Sequence, residues 1–246
     1  MRFLKKANLP EMQVGTVCVN HRCSENIKNE LTRLGISIIE SPPADQMTSP
    51  VKNHADIVLH HLEGNRFVSE PSTYQYFKDA FPEAEIICGK KILKDSYPDD
   101  CFYNVARISD DVFMKVADDF ILDFDNLNYT KKIYTRQGYC KCNICVVSEK
   151  AFITSDIGIC KAGQDNGFDV LKIREGYIDI DGYEYGFIGG ASGLVSDDTM
   201  VFCGDVLSHP DSERIKSFLR NYNIYIQCLS KEPLTDIGSV IPIAYN

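Results

Sequence analysis

The chain has 246 residues, 44% hydrophobic and 25% charged, the balance of an ordinary soluble globular protein long enough to bury a substantial core. Its formal net charge of -9 and pI near 5.1 argue against nucleic-acid and anionic-membrane partners, which need basic surfaces. No apolar run nears the roughly 20 residues of a membrane span, and none follows the basic start Met1 to Lys6, so a cytoplasmic protein is expected.

From the N-terminus, Thr16 to Val19 reads as a strand. A helix from about Ser24 follows, with Ile27, Leu31 and Leu34 on one face, and after Gly35 comes a strand at Ile36 to Ile39. Residues 40–53 are polar and proline-bearing, hence a loop. Asp56 to Leu59 then opens a fuller unit, with a turn at Leu62 to Asn65 and a second strand at Arg66 to Val68. Its helix starts at Ser69-Glu70-Pro71 and is striped by Tyr74, Phe77 and Phe81, and a third strand is predicted at Ala84 to Cys88.

The same order, strand, turn, strand, helix, strand, recurs three more times. It begins at Asn104, at Asn143 and at the strand around Leu194-Val195, and the copy spanning Gly138 to Ile173 is the clearest. In it Ile144 to Val147, Ala151 to Thr154 and Phe168 to Ile173 are the strands, and Ser155-Asp156 precedes the helix. An acid, Glu70, Asp118, Asp156 or Asp205, follows each second strand, 13 or 14 residues after the copy begins. In the last copy the helix is expected to be capped by Ser208, with His209 on the surface. The first copy lacks an opening strand, and Ile237 to Ile243 is a strand left over at the end. Pairing that strand beside Thr16 to Val19 would close a ring and remove open edges.

A ring of five strand-strand-helix-strand units resembles the pentein, or guanidino-group-modifying, superfamily. The resemblance covers nearly the whole chain and implies one domain over residues 1–246, a five-bladed α/β propeller closed by the C-terminal strand. More narrowly, GYCKCNICVV, GYEYGFIGGASG and PLTDIGSVIPI resemble an uncharacterised clostridial-type family of that fold. The superfamily's enzymes, which include arginine deiminases, dimethylarginine hydrolases and amidinotransferases, use a C-terminal Cys nucleophile, a His on an inner strand and acids that hold a guanidinium. Here Val240, Ile241 and Pro242 occupy the expected Cys region, and Gly186 to Gly193 contains no His. The resemblance therefore implies either a relocated catalytic site or a non-catalytic ring that binds a ligand or a protein.

In such a ring the heads of the first strands converge on a channel. That places Asp56, Asn104, Asn143 and Ser192 there, with Asp236 or Ser239 from the closing strand, although strand-end capping would also explain these residues. Gly189 and Gly190 offer main-chain N–H groups to a ligand, or simply a tight turn. Cys142 is the candidate nucleophile, with Cys140 on the same strand face and Cys145 on the other. His54 would be its base and Asp56 the guanidinium-binding acid. The acidic balance favours a small cationic ligand of guanidino or amidine type.

No cofactor fingerprint occurs, and no metal is expected. Cys140, Cys142 and Cys145 lack a second ligand pair, and strand alternation would turn Cys145 away. The other cysteines, such as Cys18, Cys88, Cys203 and Cys228, lie in apolar runs and read as reduced hydrophobes. His60 and His61 read as structural.

Overall fold

Five small mixed sheets carry the β-structure of the computed structural model, which describes residues 1–128 and 130–246. In chain order the elements begin with β1 (Arg2–Phe3), β2 (Val14–Asn20), α1 (Glu25–Arg33) and β3 (Ser37–Ser41). Next come α2 (Ala55–Val58), β4 (Leu59–Glu63), β5 (Arg66–Ser69), α3 (Tyr74–Ala80) and β6 (Glu85–Cys88). The third group is β7 (Ala106–Ile108), β8 (Asp111–Met114), α4 (Asp119–Leu127) and β9 (Lys131–Tyr134). The fourth is α5 (Cys140–Asn143), β10 (Cys145–Ser148), β11 (Ala151–Thr154), α6 (Ile157–Asp165) and β12 (Asp169–Lys172). The last holds β13 (Ser192–Leu194), β14 (Thr199–Phe202), α7 (Ser212–Asn221), β15 (Tyr225–Cys228) and β16 (Ile241–Tyr245).

The four units after the first share one plan. Two strands pair antiparallel across a tight turn, and a helix then returns the chain so that the third strand pairs parallel to the second. The acids singled out by their spacing are caps. Glu70 accepts from the Ser72 N–H, Asp118 from Phe120, Asp156 from Ile159 and Asp205 from Leu207, each satisfying an N–H that the following turn leaves free. Ser24 does the same for Ile27 in the first unit. Below the helices the sheets bury apolar stripes; Phe67, Phe77 and Phe81 stack at centroid distances of 5.8 and 6.0 Å.

The C-terminal strand β16 pairs antiparallel with β2, supplying the opening strand that the first unit lacks. The N-terminal β1, which the sequence did not reveal, adds to its outer side, giving the order β1-β16-β2-β3. Every sheet is open among the described residues, and none closes on itself. No described helix is long and apolar enough to cross a membrane.

Three expectations are corrected. Asp56 and Asn143 do not head strands but lie in the one-turn helices α2 and α5, and Asn104 lies in the turn before β7. The Asn104 side-chain oxygen takes the N–H groups of Lys141 and Cys142, so a side chain from one unit fixes the first turn of the next. Consequently Cys140 and Cys142 share a helical turn rather than a strand face. Finally, α7 is entered through Asp211, not Ser208. His209 is buried there, accepting from the Asp211 N–H through Nδ1, with Nε2 3.2 Å from the Arg174 carbonyl oxygen.

Candidate functional site

The turns α2 and α5 and the segment 236–239 meet. His54 occupies the N-cap of α2 and Asp56 its first turn, while Cys142 comes from α5. One ring nitrogen of His54, one carboxylate oxygen of Asp56 and the Cys142 sulfur lie within 4.8 Å of one another, and all three residues are buried. Cys142 Sγ donates to Asp56 Oδ2 at 3.1 Å and accepts from Asn104 Nδ2 at 3.1 Å; the same amide donates to the Asp56 carbonyl. The Ser239 hydroxyl lies 2.6 Å from Asp56 Oδ2, and Lys141 Nζ donates to Ser239 at 3.0 Å.

Asp236 stands next to His54. Its two oxygens accept the main-chain N–H groups of Phe187 and Gly238, and Oδ1 stands 3.8 Å from His54 Nδ1. Gly190 makes this possible, because a Cβ there would overlap the Asp236 carboxylate. Gly189 is equally confined, its missing Cβ facing the carbonyl oxygens of Lys141 and Ile144. Ser239 holds a left-handed backbone (φ 72°) while fully buried, a costly conformation for a non-glycine residue and one that concentrates at functional sites.

Burial and neighbouring charge set the protonation pattern. Burial pushes His54 down to about 4, against the opposing pull of Asp56, so its imidazole is neutral near pH 7. The Cys142 thiol is held well above its ordinary value, first by burial and then by Asp56 and Asp236. Asp236 is pushed up to about 7 by burial and by the Asp56 charge, against the N–H groups of Gly238 and Phe187. Nearby negative charge thus favours a cation and opposes a thiolate until one arrives.

His54, Cys142 and Asp236 line a cavity of about 120 Å³. Its walls are Tyr139, Tyr183, Tyr185 and Phe187, with Ile57 and Ile180. Most of this wall comes from the long connection between β12 and β13, an irregular stretch of the length that often carries function. A second cavity of about 130 Å³ shares His54 and Asp236 and includes Asn20, Arg22 and Thr235.

Of the residues expected at a site, Cys142, His54, Asp56, Asn104 and Asp236 come together. Asn143 instead donates to the Tyr139 carbonyl, and Ser192 to that of Ile188. Gly189 and Gly190 form packed backbone behind the site, where the Gly190 N–H donates to the Cys142 carbonyl. The cysteine cluster is divided. Cys140 contacts Thr135 and the Gln137 carbonyl, and Cys145 lies 3.3 Å from Met200 Sδ. Lys141 and the aromatic wall escaped the sequence reading; the one legible signal was the run Tyr183-Glu184-Tyr185-Gly186-Phe187, unusually aromatic for a loop.

Solved structures similar to this chain include an amidinotransferase, a dimethylarginine dimethylaminohydrolase and an agmatine deiminase. The inosamine-phosphate amidinotransferase of Streptomyces griseus is similar over 100% of this chain and 98% of its own, with TM-score 0.59 and 11% identity. Dimethylarginine dimethylaminohydrolase (DDAH) from Pseudomonas aeruginosa matches over 94% and 96% (TM-score 0.56, 7% identity), and C. jejuni agmatine deiminase over 98% and 96% (TM-score 0.56, 8% identity). At such identities the likeness establishes the pentein fold alone. No curated protein matches the sequence. The model described as Family of unknown function (DUF6873) matches residues 18–241, and the chain belongs to that family.

Proposed function

We propose that the five sheets are blades of a pentein-type propeller and that its central site captures a small guanidinium or amidinium ligand for attack by Cys142. The observation that carries this reading is the thiol of Cys142 bonded to Asp56, within 4.8 Å of a His54 nitrogen and open to an aromatic-walled cavity. A planar cation suits that space. Its faces can lie against Tyr and Phe rings, and its N–H groups suit the carboxylates of Asp56 and Asp236.

The ligand's charge would supply what the free site lacks. A cation beside Asp56 and Asp236 offsets the negative field that holds the Cys142 proton, and neutral His54 can accept that proton. The thiolate then adds to the amidino carbon, forming a C–S bond. Collapse of the tetrahedral adduct expels an amine, which takes the proton from His54 and leaves an amidinyl thioether on Cys142. Attack by water completes a hydrolase, and attack by an amine completes a transferase; either returns the sulfur as thiolate.

The alternative is a ring that binds a cation without chemistry, favoured by the absence of Cys at 240–242 and of His at 186–193. The test compares 2-chloroacetamidine with neutral 2-chloroacetamide, whose chloride the Cys142 sulfur would displace. Faster labelling of Cys142 by the amidine, lost in Asp236→Asn, supports capture and attack. Equal slow labelling by both reagents supports the binding ring.

A further inference from the structure

We infer that His54, Asp56 and Cys142 form a binding site for a zinc-class divalent cation, with its remaining coordination position open to the aromatic cavity. The donor set is one sulfur, one imidazole nitrogen and one carboxylate oxygen, which suits zinc or cobalt and not the all-oxygen shells of magnesium and calcium. Three protein ligands with one open position is the arrangement of catalytic rather than structural zinc sites.

Geometry brings the donors close to place. Metal–ligand bonds of about 2.0 to 2.3 Å in a tetrahedron set ligand atoms roughly 3.3 to 3.7 Å apart. Here Sγ of Cys142 and Oδ2 of Asp56 are 3.1 Å apart, and all three donors fall within 4.8 Å. A contraction of about 1 Å at the His54 side, within reach of small side-chain rotations, would complete the site.

Two buried atoms lack the partners that burial demands. His54 Nδ1 and Asp56 Oδ1 make no hydrogen bond among the described residues, although the two residues are only 4% and 1% exposed. A metal ion would satisfy one or both. The supporting contacts are also present. Asn104 Nδ2 donates to the Cys142 sulfur and the Ser239 hydroxyl to Asp56 Oδ2. Such partners orient metal ligands. Charge closes as well. Binding releases the Cys142 proton to solvent, and one thiolate plus one carboxylate then neutralise the dication in a buried place.

The inference stands independently of the amidine reading and makes the opposite demand on Cys142. A sulfur bound to metal is not free to attack, so metal and amidine would exclude one another.

The test uses the full reduced chain, stripped by chelator, titrated with Zn²⁺ against a chromogenic competitor and separately with Co²⁺. One equivalent of zinc is expected, together with a near-ultraviolet thiolate-to-cobalt absorption. Zinc should also protect Cys142 from iodoacetamide, as located by peptide mapping among the ten cysteines. His54→Ala and Cys142→Ser should each weaken zinc binding by about 100-fold or more, since each removes a direct ligand. Absence of the cobalt–thiolate band in the unmutated chain, or unprotected Cys142, overturns the inference without relying on any variant's folding. Zinc affinity unchanged from that of the unmutated chain in both variants overturns it too. Because metal uptake is read without turnover and amidine labelling is read on the chelator-stripped chain, either reading can fail alone.

Discussion

Cys142 Sγ lies 3.1 Å from Asp56 Oδ2, although 86 residues separate the two in the chain. Each belongs to a one-turn helix, α5 or α2, that leads directly into the first strand of its unit. The candidate chemistry therefore rests on equivalent places in two copies of one repeated unit.

Replacing Cys142 by Ser should separate reactivity from stability. A hydroxyl can keep the bonds to Asp56 and Asn104, so unfolding free energy should change by no more than about 1 kcal/mol. The amidine-derived adduct, read by intact-protein mass spectrometry, should disappear. An adduct that persists on another cysteine would exclude Cys142 as the nucleophile.

The aromatic wall should govern affinity for a cation. Tyr183 is 48% exposed, so Tyr183→Ala should leave the fold intact. On the Cys142→Ser background, calorimetric binding of a guanidinium ligand should weaken roughly 2- to 30-fold, corresponding to about 0.5 to 2 kcal/mol of cation–π attraction. No change would show that the ligand does not use this wall.

Gly190→Ala is expected to harm both stability and binding. The added methyl would meet the Asp236 carboxylate, which must then leave the N–H groups of Phe187 and Gly238. A loss of about 1 to 3 kcal/mol is expected in denaturant unfolding, the usual cost of inserting a methyl into packed structure. Unchanged stability would mean that Asp236 is not confined there.

His60 and His61 should make the protein acid-sensitive. Both are buried in β4, and burial holds His61 down to about 4 and His60 well below its ordinary value, with Arg107 adding to each. Unfolding exposes imidazoles that take up protons below pH ~6.5, so the unfolded state binds more protons over that range. The contribution of these two residues is therefore complete above about 6.5 and falls as pH drops toward 4, by up to about 2.7 kcal/mol per unit for the two together. The depressed His54 adds to this fall and the raised Asp236 opposes it. Chemical denaturation from pH 8 to 5 checks this, and a flat profile would contradict it.

The sequence carried the repeat because helix entry requires acceptors: Glu70, Asp118, Asp156 and Asp205 recur where N–H groups need them. From that periodicity the meeting of His54, Asp56, Asn104, Cys142 and Asp236 could be expected. The short helices α2 and α5 were not legible, since one turn is too short to be set by propensity and is held by contacts such as Asn104 to Lys141. Lys141 was missed because its neighbours suggest no burial, yet its amino group reaches Ser239, 98 residues away. His209 looked like a surface residue until the turn before α7 enclosed it. The wall from Tyr183 to Phe187 follows no period, so its direction was set only by folding.

The bond between Ser239 and Asp56 spans 183 residues. Contacts of such separation require closing most of the chain into one loop, and they form slowly because the entropy of closure is lost before any contact repays it. The pocket should therefore be among the last parts of the protein to appear during folding, after the local hairpins and helices. A compact intermediate could have near-native helix content and still bind nothing. Ligand or metal binding would then report completion of the whole chain, and a ligand present during refolding would stabilise the finished state without speeding the assembly of the early units.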